Sequence, residues 1–249
     1  MASFSRQQMS VFRAASEWWK DTASRDGHIR TSRQFLAKVW EFVRESMPSR
    51  QRQRYGDVDY DWEYRVDTTS AAVGWRERLL GVFHSPYQPT EAALFNEMLN
   101  ALSQQEQIDF SDFIFIDLGS GKGRTLLMAS DYPFRRIMGV ELLPALHQIA
   151  QQNLRQYHNQ AQKCFLLESI CGDARDFVFP AESTVLFLFN PLTETGLRQV
   201  MANLEKSLQA RPRVTYVLYH NPLLEPVLKE SGALKRVSGT HQYSIYISR

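Results

Sequence analysis

The chain has 249 residues, enough for one large α/β domain with an extension, and its 43% hydrophobic and 22% charged content is that of a folded protein. A net charge of +2 does not favour a polyanion binder that acts through its overall charge, and no apolar run approaches the roughly 20 residues needed to cross a membrane. Two cysteines, Cys164 and Cys171, lack the spacing of a metal site or a disulfide framework and suit a cytoplasmic protein.

Residues 1–55 are predicted to form a helical N-terminal extension. Residues 5–20 and 32–47 show helical spacing, and the second helix should end at Met47 because the residue before a proline disfavours helical backbone. The extension holds eleven Lys and Arg against five Asp and Glu, a local charge of +6, whereas the remainder, with eighteen against twenty-two, carries −4. All five tryptophans lie in the first 75 residues. We interpret these aromatic residues as the core of a helical cap or a homodimer contact, or alternatively as a lid over a substrate.

Residues 56–90 are predicted to be a linker or a substrate lid. The short basic run SRQRQR at 49–54 precedes an acidic and aromatic stretch at 57–68. Such a basic run is usually a solvated linker, because nucleic-acid contact would also need aromatic side chains on the same surface. Pro86 and Pro89 then mark an irregular segment, after which Thr90 with Glu91 can cap a helix with an apolar face.

The most informative pattern is FIFIDLGSGKGRTLLMAS at 113–130. Four apolar residues predict a strand buried on both faces, Asp117 ends it, and three glycines precede a predicted helix. A strand, a glycine turn and a helix start commonly cradle an adenosine-bearing cofactor, because the tight turn brings the backbone close to the ligand. The third glycine, Gly123, comes one position earlier than in the dinucleotide fingerprint, which would place it at Arg124.

Further strands are predicted downstream, and polar residues follow several of them. These strands are 136–141, which ends in Glu141; 164–167 or its continuation to 171, before Gly172-Asp173-Ala174; 184–189, before Asn190-Pro191-Leu192; 213–219, before His220-Asn221-Pro222; and a terminal hairpin of 234–237 and 243–247. The carboxyl ends of parallel strands are where open α/β sheets bind their ligands. His220 is either a general base or, by the blander interpretation, a hydrogen-bonded loop histidine.

The ordered set Asp117-x-Gly119-x-Gly121-x-Gly123, Glu141, Asp173 and Asn190-Pro191 resembles class I S-adenosylmethionine-dependent methyltransferases, in particular bacterial ones of unassigned substrate. The resemblance covers about residues 85–249. It implies an α/β fold with a doubly wound, Rossmann-like sheet of seven strands, the last antiparallel, in a domain at 91–249. It also implies S-adenosyl-L-methionine as the cofactor and no metal.

The resemblance assigns a role to each matching residue. The cofactor's amino-acid part and ribose would lie against Gly119, Ser120, Gly121 and Gly123, with Asp117 near the methionine amine and Glu141 on the ribose. Asp173 and Ala174 would hold the adenine, and Tyr87 and Thr90 would close over the methionine end. Asn190 and Pro191 would line the methyl-acceptor side as the catalytic pair.

The segment after the fourth strand matches the N-P-P-Y motif of amino-group methyltransferases only in part. Leu192 replaces the second proline and Thr193 replaces the aromatic residue, which weakens the case for an exocyclic amine as acceptor. We therefore expect a protein side chain or a small molecule as the acceptor, with RNA or DNA second because of the local +6. Two alternatives are a non-catalytic module that binds the cofactor and acts through its N-terminal helices, and a nucleotide-dependent oxidoreductase, which the glycine spacing opposes.

Overall fold

The computed structural model describes residues 11–45, 58–69, 88–106 and 108–249. The α-helices are α1 (Val11–Asp26), α2 (His28–Glu45), α3 (Val58–Tyr64), α4 (Ala92–Glu106), α5 (Arg124–Ala129), α6 (Pro144–Gln156), α7 (Glu194–Ala210) and α8 (Glu225–Lys229). The strands are β1 (Ile114–Leu118), β2 (Ile137–Glu141), β3 (Leu167–Cys171), β4 (Thr184–Leu188), β5 (Thr215–His220), β6 (Leu234–Gly239) and β7 (Tyr243–Ser248). Two 3-10 turns lie at Phe110–Asp112 and Ala174–Asp176.

The strands form one seven-stranded sheet in the order β3-β2-β1-β4-β5-β7-β6, which confirms the predicted fold. Strands β1 to β5 are parallel to one another, whereas β7 is antiparallel to both β5 and β6. The chain runs outward from β1 through β2 to β3, then returns to the other side of β1 to place β4. The order of strands therefore reverses between β1 and β4, and ligands bind at such a switch point in open α/β sheets.

The core lies on both faces of the sheet, as the continuous apolar runs predicted. On one face Phe115 of β1 packs with Phe187 of β4 against Phe95 of α4, with ring centroids 5.7–6.2 Å apart. On the other face Ile116 packs with α7, whose inward residues are buried: Leu197, Val200, Met201, Leu204 and Leu208. Alternate residues of β1 thus serve opposite faces, and this fixes the side on which Asp117 points.

Strand β3 follows the second of its two predicted extents. It spans Leu167–Cys171, whereas Phe165 and Leu166, in the apolar run that suggested an earlier start, are exposed. The strand is an edge strand of the sheet, so its side chains are only partly covered, and apolar residues alone could not mark where it begins.

The described part of the extension forms a helical hairpin whose first helix ends later than predicted, whereas the predicted end of the second helix, Met47, lies outside the described residues. Helix α1 continues to Asp26, where Gly27 takes the left-handed conformation (φ +76°) that commonly ends a helix. Trp18 is buried and packs against Phe35 of α2, as a helical cap requires. Trp40 and Trp62, however, are largely exposed, so they are not core residues of this chain. Trp75 lies outside the described residues.

The hairpin is held against the start of α7. Arg25 forms an ion pair with Glu194 at 3.2 Å, and the hydroxyl of Thr195 donates a hydrogen bond to Asp21. The extension therefore lies beside the turn that follows β4. Over the described part of the chain, no helix combines the length and the apolar character that a membrane span requires.

Candidate functional site

The site is organised by the glycine loop, residues 119–123, which joins β1 to α5. Gly119, Gly121 and Gly123 have φ values of +88°, +54° and +83°, a conformation that side chains strongly disfavour. A Cβ on Gly119 would lie 2.4 Å from Cβ of Pro191, and one on Gly123 would lie 3.2 Å from Cβ of Ala150. The spacing of the glycines therefore reflects both a left-handed backbone and close approach by neighbouring elements.

The loop is tied to the end of β2. The carbonyl of Val140 accepts hydrogen bonds from the N–H groups of Gly119 (2.8 Å) and Ser120 (3.1 Å). Glu141, the next residue, accepts from the N–H of Gly121 at 2.9 Å through one carboxylate oxygen and from the N–H of Leu143 at 2.7 Å through the other. A carboxylate oxygen can accept more than one hydrogen bond, so Glu141 keeps acceptor capacity for ligand hydroxyl groups.

Asp117 and Glu141 place two buried carboxyl groups beside the loop. Asp117 is only 3% exposed and accepts a hydrogen bond from the hydroxyl of Thr125. The pKa of Asp117 is raised to about 7, chiefly by burial; the charge of Glu141 also raises it, and the hydrogen bond from Thr125 acts in the opposite direction. Burial also raises the pKa of Glu141, against the backbone N–H groups that lower it. A cationic ligand would relieve this repulsion and favour both ionised carboxylates.

Asp173 and Ala174 lie at the same edge of the sheet, after β3. The N–H of Gly172 donates to the carbonyl of Glu141 at 2.9 Å, which brings this turn next to the β2 tip. Asp173 begins the 3-10 turn by accepting from the N–H of Arg175, and Arg175 also binds both carboxylate oxygens, with one contact of 2.6 Å. An adenine amino group would have to share this carboxylate with Arg175, a partner that the sequence analysis did not identify.

Asn190 and Pro191 lie across the switch point from the glycine loop. Asn190 has a left-handed backbone (φ +45°); its side-chain oxygen accepts from the hydroxyl of Tyr219 at 2.8 Å, and its side-chain nitrogen donates to the carbonyl of Asn221 at 2.7 Å. Pro191 is the residue that leaves no room for a Cβ at Gly119. The sequence analysis missed Tyr219 and Asn221 as partners, although the repeated Asn-Pro-Leu after β4 and β5 was a usable signal.

His220 belongs to β5 and not to a loop. Its ring is 8% exposed and stacks on Phe189, with centroids 3.9 Å apart. Burial lowers the pKa of His220 to about 4, and its Nδ1 is buried without a hydrogen-bond partner. The expectation of a hydrogen-bonded loop histidine is therefore wrong for this nitrogen, and the imidazole is neutral at pH 7.

The two residues predicted to close over the cofactor are not brought to the site by any described contact. Tyr87 lies outside the described residues. Thr90 is buried before α4, and Glu91 directly precedes the helix, its carbonyl accepting a hydrogen bond from the N–H of Phe95 at 3.0 Å. A cofactor contact for Tyr87 and Thr90 stays a prediction. Within the described ranges, no cluster of His, Cys, Asp and Glu could hold a metal ion.

The glycine loop and the first residue after it also carry buried charge that was not interpreted from the sequence. Lys122 and Arg124 are almost fully buried and bind Asp67 and Thr68, in the acidic stretch more than 50 residues upstream. The signal was available in the sequence as a basic pair in the motif and an acidic stretch before it, but their pairing depends on the tertiary fold.

Comparison with known proteins identifies the central part of the chain. Residues 116–211, which contain the loop, Glu141, Asp173 and Asn190, match the family described as "Methyltransferase domain". No curated protein matches the chain in sequence.

Several solved structures are similar to the chain. An RNA methyltransferase from Salinibacter ruber in complex with S-adenosyl-L-homocysteine is 23% identical, with 65% of this chain and 92% of that chain covered and a TM-score of 0.42. The PH0226 protein from Pyrococcus horikoshii is 14% identical over 72% and 100% of the two chains, with a TM-score of 0.49. The putative methyltransferase yhhF from Escherichia coli is 15% identical over 62% and 85%, with a TM-score of 0.44.

Proposed function

We propose that this chain, which carries a class I S-adenosylmethionine-dependent methyltransferase domain, transfers the methyl group of its cofactor to a protein side chain or a small molecule. The observation that supports this acceptor class is the construction of the acceptor segment, residues 189–193 after β4. The side-chain amide of Asn190 is hydrogen-bonded through its nitrogen to Asn221 and through its oxygen to Tyr219. Thr193, which stands where an aromatic residue would be expected, caps the following helix α7.

The residues of the site fit the cofactor. S-adenosylmethionine supplies an electrophilic methyl carbon on a positively charged sulfur, and it also carries an ammonium group and a ribose. Gly119 and Gly121 have no side chain, so a ligand can approach the backbone of the loop closely. The buried carboxyl groups of Asp117 and Glu141 provide the negative charge and the acceptor oxygens that such a ligand needs. Asp173 and Ala174 would complete the site at the adenine end.

Orientation is the contribution that the protein itself makes to the reaction. Contact between Gly119 and Pro191 fixes the separation of the glycine loop from the acceptor segment. Well-oriented reactants can gain on the order of 7–11 kcal/mol over free ones. In this mechanism the chain therefore needs to align the acceptor atom and exclude water, and it need not supply a nucleophile of its own. His220 is neutral at pH 7, but its free nitrogen is buried, so we assign it no proton transfer.

The acceptor segment differs from one built to hold a nucleobase amine. Thr193 stands where an aromatic side chain would stack on the base, and its hydroxyl accepts from the N–H of Gly196 at the start of α7. Asn190 already accepts from Tyr219, so only the remaining acceptor capacity of its oxygen could meet a substrate N–H. In the described part of the basic extension, Arg25 is paired with Asp21 and Glu194.

The experiment is a labelling screen with radiolabelled S-adenosylmethionine in cell extract separated into protein, small-molecule and nucleic-acid fractions. We expect label in the first or second fraction, resistant to nuclease, with Asp117→Ala and Glu141→Ala as inactive controls. Label in the nucleic-acid fraction, with acceptor affinity that falls steeply as salt rises, would overturn the proposed acceptor class. Cofactor binding without label in any fraction would instead favour a non-catalytic module.

We also propose a cytoplasmic protein that forms a homodimer through residues 1–55. Both cysteines are free thiols, as a reducing compartment allows. Exposed Leu36 and Trp40 on α2 are apolar side chains that a second copy could cover. Sedimentation equilibrium of the full chain and of a Trp40→Glu variant would test the dimer. We expect the mass of a dimer for the wild type and the mass of a monomer for the variant.

A further inference from the structure

Residues 58–69, here called the clamp segment, are fastened to the cofactor loop by buried charges. Lys122, between two of the loop glycines, is 1% exposed and forms an ion pair of 2.6 Å with Asp67, which is itself 57% exposed. The loop therefore holds a buried ammonium whose partner comes from the clamp segment. Loss of the Asp67 carboxylate would remove a close charged contact from this buried ammonium, which is unfavourable.

A second contact holds the clamp segment at the first residue of α5. Arg124, 2% exposed, donates to the hydroxyl of Thr68 at 2.9 Å and lies 4.2 Å above the ring of Tyr60. Asp61 accepts from the N–H groups of Thr68 and Thr69, at 2.7 Å each, and lies 3.7 Å from Arg124. The end of the clamp segment is thus closed into a turn that presents Thr68 to Arg124.

Asn153 of α6 joins the clamp segment and the loop through their backbones. Its buried amide accepts from the N–H of Asp67 at 2.9 Å and donates both to the carbonyl of Asp67 at 2.8 Å and to the carbonyl of Lys122 at 2.9 Å. The peptide carbonyl of Lys122 is therefore held, through Asn153, together with the clamp segment. The neighbouring N–H of Gly121 is held by Glu141, the residue assigned to the ribose.

We infer that Asp67 is a positioning residue for cofactor binding, and that docking of the clamp segment and binding of the cofactor favour each other. The glycine loop has three left-handed residues and can adopt many other shapes, so an element that holds Lys122 reduces the entropy that the ligand must otherwise remove. Coupling of this kind is reciprocal: whatever factor the clamp segment adds to cofactor affinity, the cofactor adds to clamp docking.

The test uses the full chain and S-adenosylhomocysteine as the probe, by calorimetry. We expect Asp67→Asn, which keeps the backbone bonds to Asn153, to weaken binding about tenfold because the buried ammonium of Lys122 loses its ion pair with the Asp67 carboxylate. Lys122→Met should weaken it less, and the double variant should resemble Lys122→Met alone, because neither then holds an ammonium that this carboxylate could pair. Arg136→Gln, which breaks a 2.8 Å ion pair with Glu182 at the opposite end of the strands, is the matched control and should bind as wild type does.

Amide hydrogen exchange supplies a readout that does not depend on any variant. In the wild type, S-adenosylhomocysteine should slow exchange at residues 66–69 by about the factor that Asp67→Asn costs in affinity. Unchanged exchange there, together with unchanged affinity in Asp67→Asn, would overturn the inference and leave the clamp segment a structural cover. The inference rests on cofactor binding, so absence of binding by the wild type would instead refute that earlier premise.

Discussion

Replacement of Asp117 by asparagine should stabilise the cofactor-free protein at pH 8 and at the same time remove most of its affinity for S-adenosylhomocysteine. Asparagine has nearly the same shape as aspartate and can still accept the hydrogen bond from Thr125. It carries no charge, however, and the charge is what the buried position disfavours in the absence of a ligand. Stability and ligand affinity should therefore change in opposite directions at a single position.

The magnitude follows from the pKa. Burial raises the pKa of Asp117 from 3.8 to about 7, and at about 1.4 kcal/mol for each pH unit this corresponds to about 4 kcal/mol. Because the pKa is higher in the folded state, the wild type loses stability as the pH rises from 3.8 to 7. The advantage of Asp117→Asn should thus be small near pH 4, grow to about 4 kcal/mol by pH 7 and stay constant above it. For a chain of this size, that corresponds to a rise in Tm on the order of 10 °C.

Urea unfolding followed by circular dichroism at pH values between 4 and 8 would measure the difference directly. Asp109→Asn is the control, because hydrogen bonds to Ser111 lower the pKa of Asp109 and its replacement should bring no such advantage as the pH rises. Calorimetry at pH 8 should show at least a tenfold loss of S-adenosylhomocysteine affinity for Asp117→Asn. A constant difference in stability from pH 4 to pH 8 would refute the reasoning, since Asp117 would then not be held in an environment that disfavours its charge.

Three further substitutions test the geometry of the site. Gly119→Ala should destabilise the protein by about 1–3 kcal/mol in urea unfolding and abolish cofactor binding, because its Cβ would meet Pro191, whereas Gly27→Ala, with a similar φ but no atom within 4 Å, should cost only about 1 kcal/mol. Glu141→Ala should weaken S-adenosylhomocysteine binding 10- to 100-fold in calorimetry, because two backbone N–H groups lose their charged acceptor. Burial lowers the pKa of His220 from 6.5 to about 4, so the folded wild type should lose about 3 kcal/mol of stability as the pH falls across this range. His220→Phe should remove this loss. Equal pH profiles of unfolding for the variant and the wild type would contradict the prediction.

The sheet and the cofactor side of the site could be predicted from local sequence because their signals are local. Short apolar runs marked the buried strands, and an acidic or polar residue after several of them marked the ligand edge. Glu141 was found in this way, and it does lie against the loop. The three glycines were found for the same reason, since a left-handed turn limits which residue can occupy it.

The parts that could not be predicted depend on pairings distant in sequence. Arg175 could not be assigned to Asp173, nor Tyr219 to Asn190, because each pairing depends on how side chains point after the sheet is assembled. In the sequence, the clamp segment shows only a cluster of acidic residues. Such a cluster does not indicate which basic side chain it binds in the folded protein. The apolar positions of α2 have a similar limit: periodicity indicates an apolar face, but not whether that face meets this chain or remains exposed, as Leu36 and Trp40 do.

The bridge between the ends of β4 and β5 has a consequence for how substrate preference could change. Asn190 is oriented by a carbonyl of Asn221 and a hydroxyl of Tyr219, and both asparagines have left-handed backbones followed by proline. A substitution on β5 can therefore rotate the Asn190 amide without altering the segment that carries it. Selection for a new methyl acceptor could act from this second strand, and the glycine loop on the far side of Pro191 would keep its shape.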